Sequence, residues 1–221
     1  MDCRADLSGC GDHIEQVRPT GRRSREGEAP GTVLAATAVS AREPMLRGMS
    51  VTVVYETHST SVDNENGIAT GWLPGELSAA GRQEARELGE RRRGVDVVFS
   101  SDLRRAVETV ELAGLGVRHF LDWRLRECNY GALNGAPRDA LEPRVERVGT
   151  PFPDGQSYGD VLELTRSFVA DLKRWYDDRV VLVVAHSANR WSLEHLFGSR
   201  APLEQLVADG VNWQPGWVYE V

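Results

Sequence analysis

Two apolar runs decide how this chain reads: Ser50-Val51-Thr52-Val53-Val54-Tyr55-Glu56-Thr57-His58 and Val180-Val181-Leu182-Val183-Val184-Ala185-His186. Each is continuous, rich in β-branched residues and about one strand long. Runs of that kind belong to strands buried on both faces of a parallel sheet. Each also delivers a histidine just past its carboxyl end. Open α/β sheets bind ligands outside that edge, so two imidazoles placed there point to a site at the top of a sheet.

Outward from these runs, strand and helix patterns alternate. Further strands read over 95–100 and 117–121, with 217–221 as an edge strand. Helices read over 78–93, 102–112, 158–176, 189–197 and 202–207. Ser78 is the expected N-cap of the first, with Ala80, Ala85 and Leu88 facing inward. The long helix over 158–176 sets Val161, Leu162, Leu164, Phe168, Val169, Leu172 and Trp175 on one apolar side. The alternation implies an α/β fold, a three-layer α/β/α sandwich with a mostly parallel central sheet and helices on both faces.

Residues 1–48 differ from the rest. They are rich in Gly, Arg, Ser, Glu and Pro, with no sustained period of 2 or 3.6, and are expected to be a disordered extension or a mis-called start, with Met45 or Met49 as the true one. Cys3, Cys10 and His13 fall there without an evident fourth metal ligand. Residues 49–221 form the expected folded domain.

The chain has 221 residues, 41% hydrophobic and 27% charged, and a net charge of −7. Acidic and basic residues balance in the first 48, so that charge rests on the remainder. A nucleic-acid binder normally shows a basic patch, so the acidic balance argues against nucleic acid as a partner. It also means that an anionic substrate must be held by a local cluster of cations. Three cysteines make no disulfide framework, which fits a reducing, cytoplasmic setting. No apolar run approaches the roughly 18–20 residues that span a bilayer, so no membrane partner is expected.

Four polar segments supply what phosphoryl chemistry needs, namely cations, hydrogen-bond donors and a proton source. They are Thr57-His58-Ser59-Thr60 with Asn64, Ser100 to Thr109 with Arg104 and Arg105, Arg124 to Gly135 with Glu127, and Ala185-His186-Ser187-Ala188-Asn189-Arg190. Taken singly, each residue has a plainer reading. His58 and His186 read equally as strand-end histidines, Arg105 as a surface partner of Glu108 or Glu111, and Glu127 as a partner of Arg124 or Arg126. His119, His195 and Cys128 read as packing residues.

In their order along the chain, these segments resemble the histidine phosphatase superfamily, the phosphoglycerate-mutase-like fold. His58, Asn64, Gly71-Trp72, Leu77-Ser78 and Gly81 follow the family's first block. Ser101 through Thr109 matches its Ser-x-Leu-x-Arg-Ala-x-x-Thr stretch. Leu125 to Gly135 matches its Leu-x-Glu-x-x-Tyr-Gly-x-Leu-x-Gly stretch, and Ala185-His186 its late Ala-His-Gly, with serine for glycine. The resemblance runs over roughly residues 50 to 200.

The resemblance implies roles. His58 would attack phosphorus and carry a phosphohistidine. Arg105 and His186 would neutralise the equatorial oxygens, Glu127 would protonate the leaving oxygen, and Asn64 and Ser59 would contact the phosphate. No metal or other cofactor is implied. One departure stands out: the family's arginine before the nucleophile is Thr57 here. Loss of a charge-assisted phosphate contact costs about 1.5–3 kcal/mol. Arg190, on the first turn after His186, is the expected replacement cation, with Arg104 as the other choice.

The interval from Glu127 to His186 is short, and the chain ends soon after the last strand. Family mutases carry more there, which shapes their pocket and shields the phosphoenzyme. The expectation is therefore a phosphomonoester hydrolase acting on a small phosphorylated metabolite. Residues 134–157 would face the substrate, and Arg138, Arg144 and Arg147 would be free to hold a second acidic group. Two other readings stay open: a catalytically weak phosphate-binding protein, suggested by Thr57, and a phosphoglycerate-type mutase. Exposed sheet edges would allow a homodimer.

Overall fold

The computed structural model describes residues 50–210 and 214–221. The 1–48 segment, with its cysteines and His13, lies outside the described residues.

The first apolar run forms β1 (Thr52–Thr57). A one-turn helix, α1 (Val62–Glu65), and a two-residue strand, β2 (Ile68–Ala69), follow it. Then come α2 (Ala79–Arg91), β3 (Val97–Ser100), α3 (Arg104–Ala113) and β4 (Arg118–Leu121). The next stretch is mostly 3-10 turns around a short strand, β5 (Ala136–Pro137). The chain ends with α4 (Tyr158–Trp175), β6 (Val180–Ala185), α5 (Ser187–Phe197), α6 (Leu203–Asp209) and β7 (Trp217–Glu220).

Five strands build the main sheet in the order β4-β3-β6-β1-β7. β1, β6, β3 and β4 run parallel, and β7 joins β1 antiparallel at the edge. The sheet is therefore mostly parallel, and it is covered on both faces. On one face Val54, Leu182 and Val184 pack against Leu88 of α2 and Ala106 and Val110 of α3. On the other, Val53, Tyr55, Val181 and Val183 pack against Phe168, Val169 and Leu172 of α4 and Leu193 of α5. Alternation along each strand feeds both layers. Each buried aliphatic or aromatic side chain is worth about 1.5–3 kcal/mol in this setting.

Two side chains depart from the sequence reading. Ala80 is exposed, because α2 starts at Ala79 and turns Gly81, Ala85 and Leu88 inward instead. Trp175 is 67% exposed, because it ends α4 beyond the last turn that meets the sheet. Ser78 does cap α2, accepting from the Gly81 amide at 3.1 Å.

A third apolar cluster lies under the carboxyl edge. It joins Cys128, Tyr130, Leu141, Phe152 and Tyr158 to Ala188 and Trp191 of α5 and to Leu203, Leu206 and Val207 of α6. Tyr130, Phe152, Tyr158 and Trp191 meet edge to face in sequence, with ring centroids 5.1–5.7 Å apart. This cluster holds the irregular segment after Glu127 against the end of the sheet.

Candidate active site

The β1–β6 register places Thr57 beside Ala185, so the next residue on each strand is a histidine. The His58 amide continues the ladder, donating to the Ala185 carbonyl at 2.9 Å. The two rings consequently lie 5.1 Å apart, centroid to centroid. His58 lines a cavity of about 310 Å³ together with Asn64, Arg105, Glu127, Tyr130, Arg138, Arg144, Ser187 and Trp191, while His186 is buried beside His58 and contacts Arg105.

His58 is held in one tautomer. Its Nδ1 lies 2.8 Å from the Ser59 carbonyl, which only accepts, so Nδ1 carries the proton. Nε2 is left with its lone pair and accepts from Arg105 Nε at 3.2 Å. Burial, then the charges of Arg105 and Arg138, drive the His58 pKa down to about 3. The imidazole is neutral across the ordinary pH range.

Arg105 is only 2% exposed. It stands near the start of α3, directly after β3 brings Ser100 and Ser101 to the carboxyl edge. Its Nη2 donates to the Gly71 carbonyl at 2.9 Å and contacts His186 Nδ1 at 3.4 Å, and its Nη1 donates to the Leu73 carbonyl at 3.4 Å. Gly71 has φ +55, and a Cβ there would lie 1.8 Å from Asn134 Oδ1, so only glycine brings that carbonyl to the guanidinium.

His186 is 1% exposed, and burial, then Arg105 and His58, hold its pKa well below the usual histidine value. Its Nε2 lies 2.7 Å from Ser101 Oγ. Its carbonyl accepts from the Tyr55 hydroxyl.

Glu127 is 8% exposed. Its Oε1 accepts from the amides of Cys128 at 2.9 Å and Ala188 at 3.3 Å, which sets the carboxyl at the start of α5. Burial raises its pKa above the usual carboxylate value, against the opposing pull of these amides and of Arg105. A buried carboxyl of raised pKa, a neutral imidazole and a guanidinium on one cavity wall form a set that can supply a proton, a nucleophile and a cation.

The structure brings His58, Asn64, Arg105 and Glu127 to one cavity, with His186 beside His58 and Arg105 but off the lining. It does not bring Thr57, Ser59 or Arg190 to the cavity lining. Thr57 closes β1 as a strand residue. Ser59 acts through its backbone, with the carbonyl orienting His58 and the amide donating to Thr109 Oγ1 at 3.0 Å. Arg190 as the replacement cation is corrected: its guanidinium lies over the Trp217 ring, 5.2 Å from the centroid. The reason is helical phase. α5 starts at Ser187, and Ser187 and Trp191, four apart, face the cavity. Arg190 lies about 100° round from Trp191, toward β7.

Of the three arginines in 138–147, Arg138 and Arg144 line the cavity. Arg147 instead covers the Phe152 ring at 5.4 Å. Ser101 and the Gly71 carbonyl, which position His186 and Arg105, were not singled out from sequence. Ser101 stood inside a matched motif, which was the available signal. Among the described residues no group of three or more His, Cys, Asp or Glu converges as a metal site, and no helix is long and apolar enough to cross a membrane.

A family model described as "Histidine phosphatase superfamily (branch 1)" matches residues 57–207. The chain is similar to a 2,3-bisphosphoglycerate-dependent phosphoglycerate mutase of Thermobifida fusca, 42% identical over 107 residues that make up 43% of this chain and 41% of that protein. It spans less than half the length of the curated mutases reported with it. It is similar to a putative phosphoserine phosphatase 2 of Hydrogenobacter thermophilus, 32% identical over 142 residues covering 58% of this chain and 70% of that one. Among solved structures, a mycobacterial glucosyl-3-phosphoglycerate phosphatase superposes with a TM-score of 0.61 at 28% identity. That match covers 73% of this chain and 84% of the other.

Proposed function

The chain belongs to the histidine phosphatase superfamily, and on that premise we propose that it hydrolyses the phosphomonoester of a small phosphorylated metabolite through a phosphohistidine. The observation that carries the reading is the His58 tautomer, with the proton on Nδ1 and the Nε2 lone pair in the cavity beside Arg105. In the first step Nε2 attacks phosphorus as the ester P–O bond breaks. The Glu127 carboxyl gives its proton to the departing alkoxide oxygen. Arg105 meets the charge on the remaining oxygens, and neutral His186, which accepts from its Nη2, helps hold that guanidinium in place. In the second step the Glu127 carboxylate takes a proton from water, whose oxygen attacks phosphorus. The P–N bond breaks and its electrons return to Nε2, with inorganic phosphate as product.

The phosphatase relatives support hydrolysis over mutase transfer, since this chain covers 70% and 84% of their lengths. The mutase reading rests on the higher identity over a shorter stretch. Turnover of p-nitrophenyl phosphate by wild type and His58→Ala tests the proposal. Loss of turnover in the variant is expected, and equal rates would remove the hydrolase reading. Interconversion of 3-phosphoglycerate in the presence of its bisphosphate primer would move the assignment to the mutases.

A further inference from the structure

A phosphomonoester brings close to two negative charges into the cavity, and both His58, on its lining, and His186, behind Arg105, are neutral. Arg105 is one cation, and its donors are already engaged with His58, Gly71 and Leu73. Thr57 is uncharged and Arg190 points elsewhere. The charge of the substrate therefore needs a second guanidinium from another element.

We propose that Arg138 is that residue: it contacts the transferring phosphoryl group opposite Arg105 and stands in for the cation missing at Thr57. This rests on the phosphohydrolase reading above. Three observations carry it. Arg138 and His58 line the same cavity. Its backbone is fixed, with the amide donating to the Gly67 carbonyl at 2.9 Å beside the β2–β5 pair, so the side chain starts from a defined point. And its charge is uncommitted: among the described residues no carboxylate forms an ion pair with it. Arg144, the other arginine of the cavity, pairs with Glu142 at 3.2 Å and donates to the Arg138 carbonyl. The charge of Arg138 also acts on the His58 ring, which places the two within electrostatic reach.

A phosphoryl contact differs from a subsite for a second acidic group in which substrates feel its loss. p-Nitrophenyl phosphate has no second acid. Arg138→Ala is expected to lower kcat/KM on it by about ten- to a hundredfold, the usual consequence of losing one charge-assisted contact. Arg138→Lys should retain more of that rate than Arg138→Ala, and product inhibition by inorganic phosphate should weaken about tenfold or more in the alanine variant. Arg138 is exposed, so the alanine variant keeps the wild-type melting temperature. Wild-type kcat/KM of Arg138→Ala on p-nitrophenyl phosphate would overturn the proposal. So would a loss confined to phosphorylated carboxylic acids. If His58→Ala also retains its rate, the hydrolase reading itself fails, an outcome distinct from any of these.

Discussion

His58 Nε2 accepts a hydrogen bond from Arg105 Nε at 3.2 Å, so the lone pair that would meet phosphorus rests on the cation that would hold the phosphoryl oxygens. Binding substrate must move that guanidinium from the ring to the oxygens. The exchange swaps a bond to a neutral acceptor for bonds to an anion, in which donor and acceptor carry opposite charges.

Glu127 is assigned the proton given to the leaving oxygen. A phenolate with a nitro group leaves with little help, whereas an alkoxide needs the proton. Glu127→Ala should therefore lose about 10²–10⁴-fold on an alkyl phosphate and distinctly less on p-nitrophenyl phosphate. Because burial raises this pKa, the protonated form persists above the ordinary carboxylate range, and the alkyl phosphate rate falls as pH rises through it. The depressed pKa of His58, about 3, predicts no acid limb near the usual histidine value. Steady-state pH profiles on both substrates check this.

Ser101 Oγ takes the Nε2 side of His186 and accepts from the Leu103 amide. Ser101→Ala frees the buried ring to change tautomer. It is expected to lower kcat about tenfold, the scale of one neutral hydrogen bond, with a smaller change in KM. Ser101→Thr, which keeps the hydroxyl, should recover more of the rate than alanine allows.

Gly81 packs α2 onto the loop that follows His58, and a Cβ there would lie 1.9 Å from the Thr60 carbonyl oxygen. Backbone meets backbone, so the loop must shift. Gly81→Ala should cost about 1–3 kcal/mol and lower activity, although the residue touches no substrate. Thermal unfolding and turnover together measure both effects.

Stability should fall on acidification. Between 6.5 and about 3 the unfolded chain binds a proton at position 58 that the folded chain refuses, and His186 acts in the same direction. Glu127, with its raised pKa, acts oppositely above 4.5, where the folded form holds the proton that the unfolded form releases. In His58→Asn the loss of stability between pH 6.5 and 4.5 should shrink by about 2 kcal/mol. Denaturant unfolding at the two pH values provides the check.

The sheet was legible because its central strands are continuous apolar runs, and Val180–Ala185 forms a strand over just those residues. The histidines followed from strand ends and Arg105 from its place after β3. The α1 turn, the β2–β5 pair and the 3-10 turns after Glu127 were not legible, since their order comes from long-range bonds such as Gly135 N to the Ala69 carbonyl and Gln156 N to the Asn129 carbonyl. Arg190 shows the limit of proximity in sequence. It follows His186 closely, yet helical phase carries it to Trp217. Arg138, far from His58 and His186 in sequence, is set beside the cavity by the bond of its amide to the Gly67 carbonyl, which sequence pattern does not reveal.

The central claim is a covalent bond between phosphorus and one ring nitrogen. Rapid quenching during turnover, without acid, followed by mass mapping of peptides tests it most directly. The account predicts phosphate on His58 in wild type and none in His58→Ala. Turnover with no phosphorylated histidine, or with the label on another residue, would contradict it.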